Sequence, residues 1–215
     1  METGAKCSTR ILRGWAVSRW YDKHVNDPYV KRAQVEGYRS RAVYKLLEID
    51  EREKLIKKGQ SILDLGSTPG GWSQVCAKRV GPSGRVLALD LLPMTPIEGV
   101  RFEKLDFTED SALEWVETQS KGGIDLVLSD MAPNITGVRS VDLPRAMYLA
   151  ELAVDTAKRV LKPGGAFLTK LFHGEGFDDY VKSIRADFEY VKVRKPAASR
   201  PKSRETYLVA RNYRL

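Results

Sequence analysis

The stretch Ser61-Ile62-Leu63-Asp64-Leu65-Gly66-Ser67-Thr68-Pro69-Gly70-Gly71-Trp72 decides the fold. A short apolar run carries an acid near its end. A turn holding Gly66, Gly70 and Gly71 follows, and a helical pattern begins at Trp72. This is a strand feeding a glycine loop into a helix, the arrangement that nucleotide-like cofactors need. Glycine lets the backbone approach a ligand closely, and the start of the helix offers unpaired N–H groups.

Working outward, strands alternate with helices. Ser61–Leu65 is read as the first strand and Trp72–Val80 as the helix after it. Gly81-Pro82-Ser83-Gly84 is a turn, and Arg85–Asp90 is the second strand. Arg101–Leu105 is the third strand, Ser111–Gln119 a helix, and Ile124–Ser129 the fourth strand. Asp142 is expected to cap a long helix with Pro144 in its first turn, stopped after Leu161 by Lys162-Pro163-Gly164-Gly165. Ala166–Lys170 is the fifth strand, Phe177 to Phe188 a helix, and Tyr190–Arg194 and Thr206–Ala210 the last two strands. Ahead of all this, Val43, Leu46, Leu47 and Ile49 recur at helical spacing, predicting a helix over Ser40–Leu55 with Ser40 as its N-cap. Near-continuous apolar strands alternating with helices predict an α/β fold, a parallel sheet covered on both faces.

The chain has 215 residues, enough for one sizeable core and one domain, read as 18–215 behind a mobile basic segment, 1–17. Lys and Arg number 36 against 28 Asp and Glu, a net charge of +8. Lys192, Arg194, Lys195, Arg200, Lys202 and Arg204 fall within 13 residues that contain no acid. The Arg10–Lys45 segment is also basic and interleaved with Trp15, Trp20, Tyr21, Tyr29, Tyr38 and Tyr44. Two basic runs with aromatics suit a polyanion with stackable bases, although a single run by itself is more often a solvated surface. Cys7 and Cys76 are too far apart for a disulfide framework or a zinc site, and His24 and His173 too separated for a metal cluster. No metal is expected. No apolar run reaches membrane length and no signal peptide is visible, so the expected location is the cytoplasm. The first twenty residues are basic and almost acid-free, a composition shared with organelle transit peptides.

In open parallel sheets the ligand sits at the carboxyl ends of the strands. Asp64, Asp90 and Asp106 fall at the ends of strands 1, 2 and 3. Asp90 lies 20 residues beyond Gly70, the spacing at which a carboxylate receives a ribose diol, and Asp106 is placed to accept from an adenine amine. Thr68 stands where Gly-x-Gly-x-x-Gly has its second glycine, the position that lets backbone approach a pyrophosphate. This weakens a dinucleotide reading and favours an adenosyl ligand without phosphates, S-adenosylmethionine. A tight turn with no ligand is the plainer reading of the glycines alone.

Strand 4 ends in Ser129-Asp130-Met131-Ala132-Pro133-Asn134 and strand 5 in Thr169-Lys170. Adjacent strand ends lie about 5 Å apart, so Asp130 and Lys170 would meet beside the cofactor. A structural ion pair is the plain alternative. With these residues in place, the chain resembles the FtsJ/RrmJ family of S-adenosylmethionine-dependent ribose 2'-O-methyltransferases, from Ser18 to the C-terminus. The resemblance is carried by Gly37-Tyr38-Arg39-Ser40-Arg41-Ala42, Tyr44-Lys45-Leu46, Asp64-Leu65-Gly66, Pro69-Gly70-Gly71-Trp72-Ser73-Gln74, Asp90-Leu91-Leu92-Pro93-Met94, Ser129 to Asn134, Pro144-Arg145-Ala146-Met147-Tyr148-Leu149, Gly174-Glu175-Gly176-Phe177, Arg194-Lys195-Pro196, Ser199-Arg200 and Ser203-Arg204-Glu205. Ser67-Thr68 and His173 depart from the family's usual residues.

The resemblance implies a Rossmann-like fold, a seven-stranded sheet of order 3-2-1-4-5-7-6 with strand 7 antiparallel. It implies a Lys-Asp-Lys-Glu tetrad at Lys45, Asp130, Lys170 and Glu205. It also implies a cofactor set of Asp64, Gly66, Pro69, Gly70, Gly71, Trp72, Asp90, Leu91, Asp106, Phe107 and Asp130. Lys170 is the candidate base for the ribose hydroxyl, oriented by Asp130 and held by Glu205, with Lys45 beside it or on the ribose. Arg39, Arg41, Arg194, Lys195, Arg200, Lys202 and Arg204 are candidate RNA contacts. The family implies large-subunit ribosomal RNA as partner, at an A-loop uridine within the assembled 50S-type subunit, and a monomer is expected. The competing readings are ribose methylation of tRNA, mRNA caps or organellar rRNA, a nicotinamide-dependent oxidoreductase, and a noncatalytic RNA-binding assembly factor.

Overall fold

The computed structural model describes residues 27–200 and 203–214. The expected mobile segment 1–17, Lys202 and the aromatics before Asp27 lie outside them. The element order is α1 (Pro28–Val35), α2 (Val43–Glu53), β1 (Ser61–Leu65), α3 (Gly71–Val80), β2 (Arg85–Asp90), β3 (Val100–Lys104), α4 (Asp110–Gln119), β4 (Ile124–Ser129), α5 (Arg139–Val160), β5 (Leu161–Phe172), α6 (Phe177–Asp187), β6 (Phe188–Arg194) and β7 (Glu205–Tyr213). The seven strands form one sheet of order β3-β2-β1-β4-β5-β7-β6. β1 to β5 pair in parallel, and β7 runs antiparallel to both β5 and β6.

Period-2 alternation sorts the strand residues onto two faces. Leu63, Leu65, Val127, Phe167, Leu208 and Ala210 pack against α4, α5 and α6. Ile62, Leu126, Leu128, Leu168, Tyr207 and Val209 pack against α1, α2 and α3. Continuing the second alternation by two residues brings Asp64, Asp130 and Lys170 to that same face at the carboxyl edge. The polar end of the sheet is therefore roofed by α2, which carries Lys45.

Several boundaries differ from the sequence reading, each for a local reason. α2 starts at Val43 with Ala42 at its cap and no side-chain cap bond, not at Ser40. Ser40 instead packs on the glycine loop: a Cβ on Gly71 would lie 2.7 Å from its Oγ. α5 starts at Arg139, so Pro144 sits inside the helix and Asp142 is not its N-cap. The Asp142 carboxylate accepts from Thr136 N–H at 2.9 Å and Gly137 N–H at 3.0 Å, bracing the preceding turn. β5 begins at once after α5, and the Lys162–Gly165 stop is absorbed as a register shift between the Ile124 and Leu126 pairings. β3 lies one residue earlier than expected, and β7 extends to Tyr213. α1 was not foreseen; Asp27 caps it by accepting from Tyr29 N–H at 3.0 Å, with Pro28 in its first turn.

Candidate active site

The glycine loop is shaped by two positions. Gly66 has φ 74° and a Cβ there would lie 2.6 Å from Met131 Cγ; Gly70 has φ 105° and a Cβ would lie 2.7 Å from Ile97 Cδ1. Asp64 is fully buried behind the loop. Its Oδ2 accepts from Ser73 Oγ at 2.5 Å in the first turn of α3, while Oδ1 has no partner. Burial pushes this carboxyl up to about 7; Ser73 opposes the shift and the charges of Asp130 and Asp90 add to it. Asp64 thus braces the loop and faces no solvent.

At the rim, Asp90 Oδ2 accepts from Thr68 N–H at 2.8 Å and Oδ1 from Leu92 N–H at 2.8 Å, leaving a lone pair on each oxygen for a diol. Asp106 Oδ1 takes both Thr108 N–H (2.9 Å) and Thr108 Oγ–H (2.7 Å), leaving Oδ2 open toward an amine. The Thr108 N–H and hydroxyl hold the Asp106 carboxyl below its usual range, so it is charged at neutral pH. Leu91 is exposed beside Asp90, and Phe107 is half-buried and packs on the core. This set fits an adenosyl group. It fits a pyrophosphate poorly, because Thr68 stands at the fingerprint's second glycine and its N–H is already taken by Asp90 Oδ2. Besides Asp64, two expected cofactor residues make contacts within the protein. Trp72 is buried, and its indole Nε1 donates to Ala42 O at 2.9 Å. Pro69 contributes a carbonyl, which accepts from Arg39 Nη1 at 3.3 Å.

The four tetrad residues come together. Lys170 Nζ lies 3.1 Å from Asp130 Oδ1 and donates to Asp130 O at 2.6 Å. Lys45 Nζ lies 2.6 Å from Glu205 Oε1. The β5–β7 pairing delivers this: Phe172 stands opposite Glu205 and Lys170 opposite Tyr207. Between the two ion pairs stands Tyr207, a residue the sequence reading missed. Its hydroxyl lies 2.8 Å from Asp130 Oδ1 and 3.2 Å from Glu205 Oε1. The signal was available, since Glu205 and Tyr207 are two apart on one strand and therefore share a face. Next to this cluster a recess of about 220 Å³ is lined by Arg41, Ala42, Lys45, Arg200, Ser203 and Glu205.

The candidate RNA contacts divide. Arg39 donates to the carbonyls of Pro69, Thr95 (2.5 Å) and Pro96 (2.8 Å), clamping the loops after β1 and β2. Arg41 pairs with Asp27 and donates to Ala198 O. Arg194 pairs with the buried Glu53 at the end of α2. These three guanidinium groups make contacts within the protein, which residue type and charge alone do not reveal. Lys195, Arg200 and Arg204 are exposed. Among the described residues no group of three His, Cys, Asp or Glu could hold a metal, and no helix is long and apolar enough to cross a membrane.

Comparison with known proteins gives this arrangement its relatives. The family model described as FtsJ-like methyltransferase matches residues 38–213. The chain belongs to the FtsJ-like methyltransferase family. This methyltransferase is 55% identical over 206 residues, 95% of its own length and 100% of the relative, to the ribosomal RNA large subunit methyltransferase E of Marinobacter nauticus. It is 56% identical over 205 residues, covering 95% and 98%, to the protein of that name in Pseudomonas fluorescens. Among solved structures it is similar to one described as a ribosomal RNA methyltransferase from Plasmodium falciparum, with TM-score 0.73, 31% identity, and coverage of 82% of this chain and 98% of that one. Human methyltransferase-like protein 13 shares the fold at TM-score 0.55 and 16% identity, with 80% of each chain covered.

Proposed function

We propose that this protein transfers the methyl group of S-adenosylmethionine to a ribose 2'-hydroxyl of large-subunit ribosomal RNA, at a uridine of the A-loop within the assembled 50S-type subunit, acting as a monomer in the cytoplasm. The observation that carries the chemistry is the Lys170–Asp130 pair, 3.1 Å apart at the carboxyl edge beside the glycine loop. The names of the relatives support the ribosomal substrate. Asp90 would hold the ribose diol, Asp106 Oδ2 the adenine amine, and the Gly66 and Gly70 turns would admit the rest of the cofactor.

When bound, S-adenosylmethionine supplies an electrophilic methyl carbon on a cationic sulfur. The protein's work is alignment and proton removal. Lys170 Nζ, with its lone pair free, would take the 2'-hydroxyl proton, readying the oxygen for the methyl group that the cofactor would supply. Asp130 fixes Lys170 through two oxygens, its side chain and its own backbone carbonyl. Glu205 and Lys45 close the other side, next to the recess where Arg200 meets the RNA backbone. A 2'-hydroxyl nucleophile restricts the substrate to RNA.

The test is mass mapping of ribose methylation in large-subunit RNA after incubation of unmethylated 50S-type subunits with the protein. A single ribose methyl, lost by at least about 10²-fold in Lys170→Ala while S-adenosylmethionine affinity is kept, is the expected result. Methylation on a base, or turnover by Lys170→Ala near the wild-type rate, overturns the reading.

A further inference from the structure

Tyr207 is wholly buried, and nothing in the reaction above uses it. Its hydroxyl has one proton and stands between two carboxylate oxygens, each already paired with a lysine. The contacts form one chain: Lys170 Nζ, Asp130 Oδ1 (3.1 Å), Tyr207 Oη (2.8 Å), Glu205 Oε1 (3.2 Å), Lys45 Nζ (2.6 Å). Glu205 Oε1 also accepts from Ser199 Oγ at 3.2 Å. The ring is locked: it packs on Trp72 with centroids 5.8 Å apart, and Lys45 Nζ lies 5.8 Å from its centroid. Register fixes it as well, since Tyr207 is the cross-strand partner of Lys170. A phenol placed there only for packing would be served by phenylalanine, without bringing a donor between two acids.

We propose that the Tyr207 hydroxyl is a positioning group that joins the two lysine–carboxylate pairs into one unit, so that the proton at Lys170 responds to the charge at Glu205 and Lys45. The inference rests on the methyl-transfer reading above. A hydrogen bond donated to Asp130 draws negative charge from that carboxylate and loosens its hold on the Lys170 ammonium. As the phenol turns toward Glu205, that relief is withdrawn. Burial, followed by the charges of Asp130 and Glu205, pushes the phenol well above its ordinary range, so it remains a donor throughout the working pH range. The groups facing this chain are Asp130 from the end of β4, Lys170 from β5, Glu205 from β7, Lys45 from α2 and Ser199 from the β6–β7 connection. Arg41 and Arg200 line the adjoining recess, and the charge of Asp130 acts through space on Asp64.

The test is the pH dependence of kcat on 50S-type subunits for wild type, Tyr207→Phe, and a protein with 3-fluorotyrosine placed at position 207 alone. In Tyr207→Phe, Asp130 keeps its full charge and holds the Lys170 ammonium more firmly. The rising limb of kcat should move to higher pH by about one unit, and kcat near neutrality should fall roughly tenfold or more, with KM for S-adenosylmethionine unchanged. The fluorinated phenol donates more strongly, so its limb should move to lower pH. Limbs that coincide in all three proteins, or that move the same way in both variants, overturn the coupling and leave Tyr207 a packing residue. Should Tyr207→Phe fail to fold, the fluorinated protein alone decides, since it keeps every contact. A Lys170→Ala protein that still turns over removes the underlying reading; a dead Lys170→Ala with immobile limbs removes only the coupling.

Discussion

Asp64→Asn isolates one buried charge whose effect on stability can be worked from its surroundings. The carboxyl is fully buried, one oxygen satisfied by Ser73 and the other by nothing. Burial raises it from 3.8 to about 7. The folded protein therefore holds this proton more tightly than the unfolded chain does. The stabilisation from the raised value is full below the unfolded value, near pH 4, and is lost as pH rises through 7. A shift of about three units corresponds to about 4 kcal/mol over the whole range, of which about 3 kcal/mol falls between pH 5 and pH 8.5. Asparagine is isosteric with the neutral acid and has no such slope. The variant should match wild type below about pH 4, and its lead over wild type should grow by about 3 kcal/mol between pH 5 and pH 8.5. Urea unfolding at the two pH values measures this directly, and the comparison between variants cancels every other titrating group. An equal stability difference at both pH values would show that Asp64 is ionised in the fold at acid pH, and that Ser73 and the start of α3 outweigh the burial.

Two further outcomes follow from Arg39 and from Glu53, the partner of Arg194. Arg39→Ala removes three bonds to the carbonyls of Pro69, Thr95 and Pro96; S-adenosylmethionine affinity, read by calorimetry, should weaken about tenfold, and an unchanged value would mean the loops hold their shape unaided. Glu53→Ala strips the partner from Arg194 and from the Tyr190 hydroxyl (3.0 Å), and should cost about 3 kcal/mol, seen as a fall in Tm of about 6–10 °C; a fall under about 1 °C would make the pair a surface contact.

The sheet was readable because a buried parallel strand writes itself as an unbroken apolar run: Ser61–Leu65, Arg85–Asp90 and Ile124–Ser129 have the bounds the sequence predicts. Helix starts were less readable where a polar residue had two possible duties. Ser40 and Asp142 both look like caps, and both serve a neighbouring turn instead. α1 is only eight residues long, too short for its period to stand out from the basic run around it. The tetrad depended on strand order, which chain position alone does not supply; the resemblance provided it and the β5–β7 register realises it. Tyr207 was overlooked because an aromatic residue in an apolar strand reads as core, which its ring is; only its oxygen belongs to the site. Arg39, Arg41 and Arg194 show the converse, since residue type reveals a cation but not what it faces.

Gly71 carries no functional group, and Ser40 packs upon it. A single methyl added there would press on the Ser40 hydroxyl, and Ser40 leads within five residues to Lys45. Trp72 and Gln74, holding the backbone of Ala42 and Gly37, resist that push. The hydroxyl has room to swing aside, because the Ser40 backbone nitrogen and Cβ would stand 3.6 and 3.7 Å from the new methyl. An alanine at this position should turn one serine rotamer and leave the amine five residues on in place.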